Sequence, residues 1–250
     1  MAIRTILVSQ PKPEGAKSPY YDLAEKYGLQ IDFRSFIHIE GISAQEFRTQ
    51  KIDLSKHTAA IMTSKTAIDH FFRVAEEMRY EVPDTMKYFC ISEAVAYYLQ
   101  KYVPYRKRKI FFGKQSITDM VDILKKHKKE KFLLPCTDRL RDRIPETLVE
   151  YDLEFTKAVL YRTVASDLSD LENVYYDMLV FYSPGGIESL LKNFPNFKQS
   201  DTIIAAFGPT TANAIIKNKL RLDLHAPQPN APSMTGAIEN FVKEYNKIKK

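Results

Sequence analysis

The run Thr58-Ala-Ala-Ile-Met-Thr-Ser-Lys-Thr-Ala-Ile-Asp-His-Phe-Phe-Arg-Val-Ala75 changes its period in the middle. Thr58 to Met62 is a short apolar stretch of strand type, and Thr63-Ser64-Lys65 interrupts it with hydroxyls. Ile68, Phe71, Phe72 and Ala75 then recur at i, i+3, i+4 and i+7, one face of a helix behind a hydroxyl cap. A strand feeding a capped helix is one β-α unit. Repeated, such units build a parallel sheet with helices on its faces.

The unit does repeat. Strands are expected at Thr5 to Ser9, Lys87 to Ile91, Lys109 to Phe112, Lys131 to Leu134, Met178 to Tyr182, Ile203 to Phe207 and Leu222 to His225. Ser92 precedes a helical pattern over Ala94 to Tyr102, Ser116 over Ile117 to Leu124, and Thr137-Asp138 over Ile144 to Leu148. Ser183 does so for Ile187 to Leu191, Thr210-Thr211 for Ala212 to Ile216, and Ser233 for Ala237 to Val242. Ser and Thr cap helices of any function, so the hydroxyls alone carry little. In parallel sheets, however, these loops all open at the carboxyl ends of the strands, where free N–H groups and helix dipoles favour anions. Two extended segments, Ile31 to Ile39 and Phe155 to Val164, break the rhythm and read as crossings between domains. The Lys-rich tail, Lys243 to Lys250, is expected to fray.

Composition bounds the class. The 250 residues are 44% hydrophobic and 27% charged, with 15 Tyr, 15 Phe and no Trp, as in a folded globular protein. No apolar run spans a bilayer and the start lacks a signal-peptide pattern, so a cytoplasmic protein without membrane contact is expected. Cys90 and Cys136 lie in apolar stretches and read as reduced core residues. A net charge of +6 admits a polyanionic partner. The basic runs Tyr105 to Lys109 and Lys125 to Lys131 read as solvated faces, and no nucleic acid partner is expected.

His38, His57, His70, His127 and His225 are scattered singly, so no metal is expected. GxGxxG, GxxxxGK[ST] and GxSxG are all missing, and no cofactor is expected. Ser183-Pro184-Gly185-Gly186 is the nearest approach to a Gly-rich turn, able to offer a few N–H groups to a carboxylate.

Five segments, in order, resemble the uroporphyrinogen-III synthase family. They are Ile61-Met-Thr-Ser-Lys-Thr-Ala-Ile-Asp-His-Phe71, Val159-Leu-Tyr-Arg-Thr163, Leu179-Val-Phe-Tyr-Ser-Pro-Gly-Gly-Ile187, Ile204-Ala-Ala-Phe-Gly-Pro-Thr-Thr-Ala-Asn-Ala-Ile215 and Ala226-Pro-Gln-Pro-Asn-Ala-Pro-Ser-Met-Thr-Gly-Ala-Ile238. Gly185, where many relatives carry Ser after the Pro, and Cys136-Thr137-Asp138, which replaces a glycine-bearing turn, depart from the pattern. Glycine at 185 would let the chain approach a ligand more closely.

The resemblance implies two doubly wound parallel-sheet α/β domains joined by a two-stranded extended linker: 1–38 with 165–250, and an inserted 39–164. It implies a cofactor-free lyase of heme biosynthesis, expected to act as a monomer. Its substrate would be hydroxymethylbilane, a linear tetrapyrrole polycarboxylate, cyclised with inversion of ring D. Tyr161 falls at the family's tyrosine and is the candidate proton donor. The substrate-contact candidates are Thr63, Ser64, Lys65, Ser92, Thr137 and Asp138, with Ser183, Gly185, Gly186, Thr210, Thr211 and Ser233. The alternative is a two-domain module that holds an anion or tetrapyrrole without chemistry.

Overall fold

A computed structural model describes residues 2–15, 17–140 and 143–248, the last three as backbone only. The chain divides into two compact units, 1–38 with 164–250 and 39–163.

The first unit opens with β1 (Thr5–Val8), α1 (Pro19–Tyr27) and β2 (Gln30–Phe33), with β2 parallel to β1. Ser18 caps α1 by accepting from the Tyr20 N–H, and Gly28 at φ 61° closes it in the left-handed conformation. The expected crossing at 31–39 is therefore two strands. Its first half completes a β-α-β unit, and only β3 (Ile37–Gly41) crosses to the other unit. Extended character is visible in sequence; the partner of an extended segment is not.

The second unit continues through α2 (Ala44–Thr49), β4 (Ala59–Met62), α3 (Lys65–Glu77), β5 (Lys87–Cys90), α4 (Glu93–Leu99) and β6 (Ile110–Phe112). It ends with α5 (Val121–Lys126), β7 (Phe132–Thr137), α6 (Arg143–Glu150) and β8 (Phe155–Ala165). The sheet order is β3-β8-β7-β4-β5-β6, parallel from β4 to β8. On β4, Ala60 and Met62 join a core with Phe71 and Tyr88, while Ala59 and Ile61 join another with Phe89 and Phe132. A strand covered on both faces reads as a continuous apolar run, which explains the opening signal. β7 runs past its expected end at Leu134, through Pro135. Beyond Leu133 it pairs with β8 but no longer with β4, and a strand bonded on one side tolerates a residue without an N–H.

The first unit resumes with β9 (Met178–Phe181), α7 (Pro184–Asn193), β10 (Ile203–Phe207), α8 (Pro209–Lys217), β11 (Leu224–Ala226) and α9 (Met234–Ile248). The all-parallel sheet has the order β11-β10-β9-β1-β2. Thr210 and Thr211 do not cap α8. The helix starts at Pro209 behind Gly208 at φ 83°, and Thr211 is 1% exposed inside the first turn. A left-handed glycine followed by proline fixes that start without a hydroxyl. The helix expected over Ile117 to Leu124 is a 3-10 turn, Thr118–Met120, leading into α5. Asp119 tightens the turn by accepting from the Gln115 and Ser116 N–H groups. The Lys-rich tail from Lys243 continues α9 to Ile248, and positions 249 and 250 lie outside the described residues.

Candidate functional site

In the second unit β5 and β6 lie on one side of β4, and β7 and β8 on the other. The strand order thus reverses between β4 and β7, and open α/β sheets bind ligands outside the carboxyl ends at such a point. The two strands stop pairing after Ala60 and Leu133, short of their ends at Met62 and Thr137. Thr63 and Ser64 leave β4 there, Thr137 and Asp138 leave β7, and Ser92 leaves β5.

Ser64 caps α3 by accepting from the Ala67 N–H at 3.0 Å, and Ser92 caps α4 through the Val95 N–H at 3.4 Å. A capping hydroxyl uses its lone pairs on the helix and keeps its own O–H, so capping does not remove it as a donor to an anion. Thr137 donates to Asp138 at 2.8 Å, and Asp138 donates its N–H to the Tyr161 carbonyl at 3.1 Å. Lys65 is exposed at the start of α3 with its ammonium 5.3 Å from the centre of the Tyr98 ring.

Tyr161 stands opposite Thr137 in the β7–β8 register and is 7% exposed. Burial raises the pKa of its phenol, the Ser64 hydroxyl beside it opposes the shift, and Cys136 adds to it. The group therefore keeps its proton at neutral pH. Its ring lies on His70, with centroids 5.0 Å apart and planes 19° apart. In the sequence His70 is one isolated histidine among five; its place on α3 beside Tyr161 follows only from the sheet order.

In the first unit the order reverses between β1 and β9, and Ser9 and Ser183 follow those strands. Ser183 caps α7 through the Gly186 N–H at 3.3 Å. A Cβ at Gly186 would meet the Phe181 ring at a tight 3.2 Å and Ser9 Oγ at an ordinary 3.5 Å, so it is the packing on Phe181 that favours a bare backbone here. At Gly185 the nearest atom is Ile37 at an ordinary 3.5 Å, so no protein neighbour requires glycine there. Ser9 went unnoticed in the sequence because no helix begins next to it. Thr210 is exposed in the first turn of α8, Thr211 is buried, and Ser233 caps α9 through the Gly236 N–H at 3.1 Å. The candidates of each unit thus gather at the carboxyl edge of its own sheet. A groove of about 1000 Å³ in the second unit, lined by His57, Lys131 and Asp152, lies at the amino edge instead.

Among the described residues no cluster of three or more His, Cys, Asp or Glu is placed to hold a metal, and no helix is long and apolar enough to cross a membrane. Cys90 and Cys136 are buried free thiols whose pKa values burial pushes up to about 12 and about 11, so neither is poised as a nucleophile.

Three histidines carry a pH signature. His57, His70 and His127 all have lowered pKa values, mainly from burial. The unfolded chain then takes up these protons first, near the ordinary value of about 6.5. Stability is expected to be full above that pH and to fall as pH drops through it, before carboxylates titrate. Urea midpoints at pH 7.5 and 5.5 check this, and equal midpoints would refute it.

A family model described as uroporphyrinogen-III synthase HemD matches residues 18–236. The uroporphyrinogen-III synthase of Chlorobaculum parvum is 23% identical over 96% of this chain and 100% of its own length. The crystal structure of uroporphyrinogen-III synthetase from Helicobacter pylori superposes with a TM-score of 0.60 at 16% identity, over 97% of this chain and 100% of that one. A mutant uroporphyrinogen III synthase from Thermus thermophilus gives 0.52 at 13% identity, over 98% and 99%. The structures share the fold, and the family model covers most of the sequence. The chain belongs to the uroporphyrinogen-III synthase family.

Proposed function

We propose that the protein is a cyclising hydro-lyase that closes hydroxymethylbilane to uroporphyrinogen III with inversion of ring D and release of water. The observation that carries this reading is Tyr161, a protonated phenol at the carboxyl edge of a parallel sheet, at the family's tyrosine position. The phenol donates its proton as the substrate's hydroxyl departs as water, leaving the azafulvene in its N-protonated, cationic form opposite the phenolate. The substituted carbon of ring D then attacks to give a spiro intermediate. Fragmentation and re-closure deliver the inverted ring, and the proton shed on re-aromatisation restores the phenol.

The flexible chain must also be held in a curl, and fixing its reacting ends is worth as much as proton transfer or more. We assign that task to helix-N-terminal amides and hydroxyls at the carboxyl edges of the parallel sheets. Thr63, Ser64, Lys65, Ser92, Thr137 and Asp138 serve in one unit, and Ser183, Gly185, Gly186, Thr210 and Ser233 in the other, joined by Ser9. Thr211, being buried, supports its helix.

Fresh hydroxymethylbilane with chromatographic separation of isomers tests the reading. The expected product is type III, made at the same rate after chelator treatment and without added cofactor. Type I alone would leave a binding module, and activity lost to chelator and restored by a divalent cation would reveal a metal site.

A further inference from the structure

His70 and Arg73 lie one turn apart on α3, and Arg73 directs four of its five N–H donors at protein acceptors. Its Nε donates to His70 Nδ1 at 3.1 Å and one terminal nitrogen to Glu77 at 2.6 Å. The other donates to the carbonyls of Ile42 at 2.9 Å and Leu160 at 3.2 Å. A guanidinium is always a donor, so Nδ1 must be the acceptor and the imidazole proton sits on Nε2. One rigid fork therefore fixes two things: the ring plane of His70, and the backbone of Leu160, immediately before Tyr161. The fork's place is itself reserved, because a Cβ on Gly41 would fall 2.7 Å from Arg73.

We infer that His70, locked by Arg73, is the positioning residue for Tyr161, holding the phenol ring in the plane and place from which its hydroxyl reaches the departing group. The inference rests on the proposed reading of Tyr161. Stacking from one side and a gripped backbone leave the phenol little freedom, and misplacement by about 1 Å is enough to cost about a hundredfold in rate.

The test is a kinetic cycle on the full chain with fresh hydroxymethylbilane, reading type III formation. His70→Ala is expected to lower kcat about tenfold to a hundredfold with KM within about twofold. His70→Phe, which restores a flat ring for the stack but gives Arg73 no acceptor to lock it, should recover part of the loss and not all of it. In a Tyr161→Phe background His70→Ala should add less than about twofold, because the hydroxyl it positions is gone. Arg73→Lys keeps the charge but not the fork, and should reproduce the loss with the same dependence on Tyr161; it also covers the case of a His70→Ala chain that does not fold. Full kcat in His70→Ala, no recovery in His70→Phe, or an equal loss with and without the Tyr161 hydroxyl would overturn the inference. A wild-type chain that forms no type III isomer would instead overturn the reading beneath it.

Discussion

Tyr161→Phe is expected to slow type III formation by about 10² to 10⁴, the usual worth of general acid catalysis. The substitution deletes one hydroxyl and keeps the ring, so the stack on His70 and the fit within the 7% exposed site persist. KM should change little, since the carboxylates are held elsewhere. Product made by the mutant enzyme should still favour type III, because regiochemistry depends on how the chain is curled. Unaided closure to type I runs alongside, so its share rises as the enzyme slows. Varying enzyme concentration separates the two sources. A folded Tyr161→Phe chain with full kcat would make the tyrosine structural and move proton donation elsewhere.

The largest stability effect should come from Phe89→Ala, a position with no part in the chemistry. Phe89 on β5 is fully buried, stacked on Phe111 at 5.0 Å and edge-on to Phe132 at 5.3 Å. Emptying such a site costs about 3 to 5 kcal/mol in lost transfer energy and cavity. Whole domains are stable by only about 5 to 15 kcal/mol, so the second unit should unfold at much lower urea. The chain has no Trp, so far-UV circular dichroism is the readout. Activity should fall with the folded fraction while kcat per folded molecule stays constant, the opposite of Tyr161→Phe. Phe89→Leu, keeping most of the apolar volume, should cost less. A loss under about 1 kcal/mol for Phe89→Ala would mean that the aromatic cluster does not hold this sheet together.

How much could be read in advance follows from which interactions are local. Ser64, Ser92, Ser183 and Ser233 were legible as caps because each bond spans only three residues, as from Ser64 to the Ala67 N–H. The strands leading into Thr63 and Ser183 were legible because a strand buried on two faces must be apolar throughout. The split of 31–39 was not, since Asp32 beside Leu7 is a pairing between distant residues. Nor was the role of Gly208, because left-handed glycine and hydroxyl caps both start helices and only the observed φ of 83° tells them apart.

By itself, the sequence determined the parallel α/β class and the series of hydroxyl-bearing turns, because period and capping act within a few residues; Tyr161 was singled out only by the resemblance to the family. Tertiary structure alone decided where the strand order reverses, that Ser9 lies against Gly186, that Thr211 is buried, and that His70 and Arg73 brace Tyr161. Those facts depend on which strands become neighbours, and that choice is made by burial over the whole chain, which no short window contains.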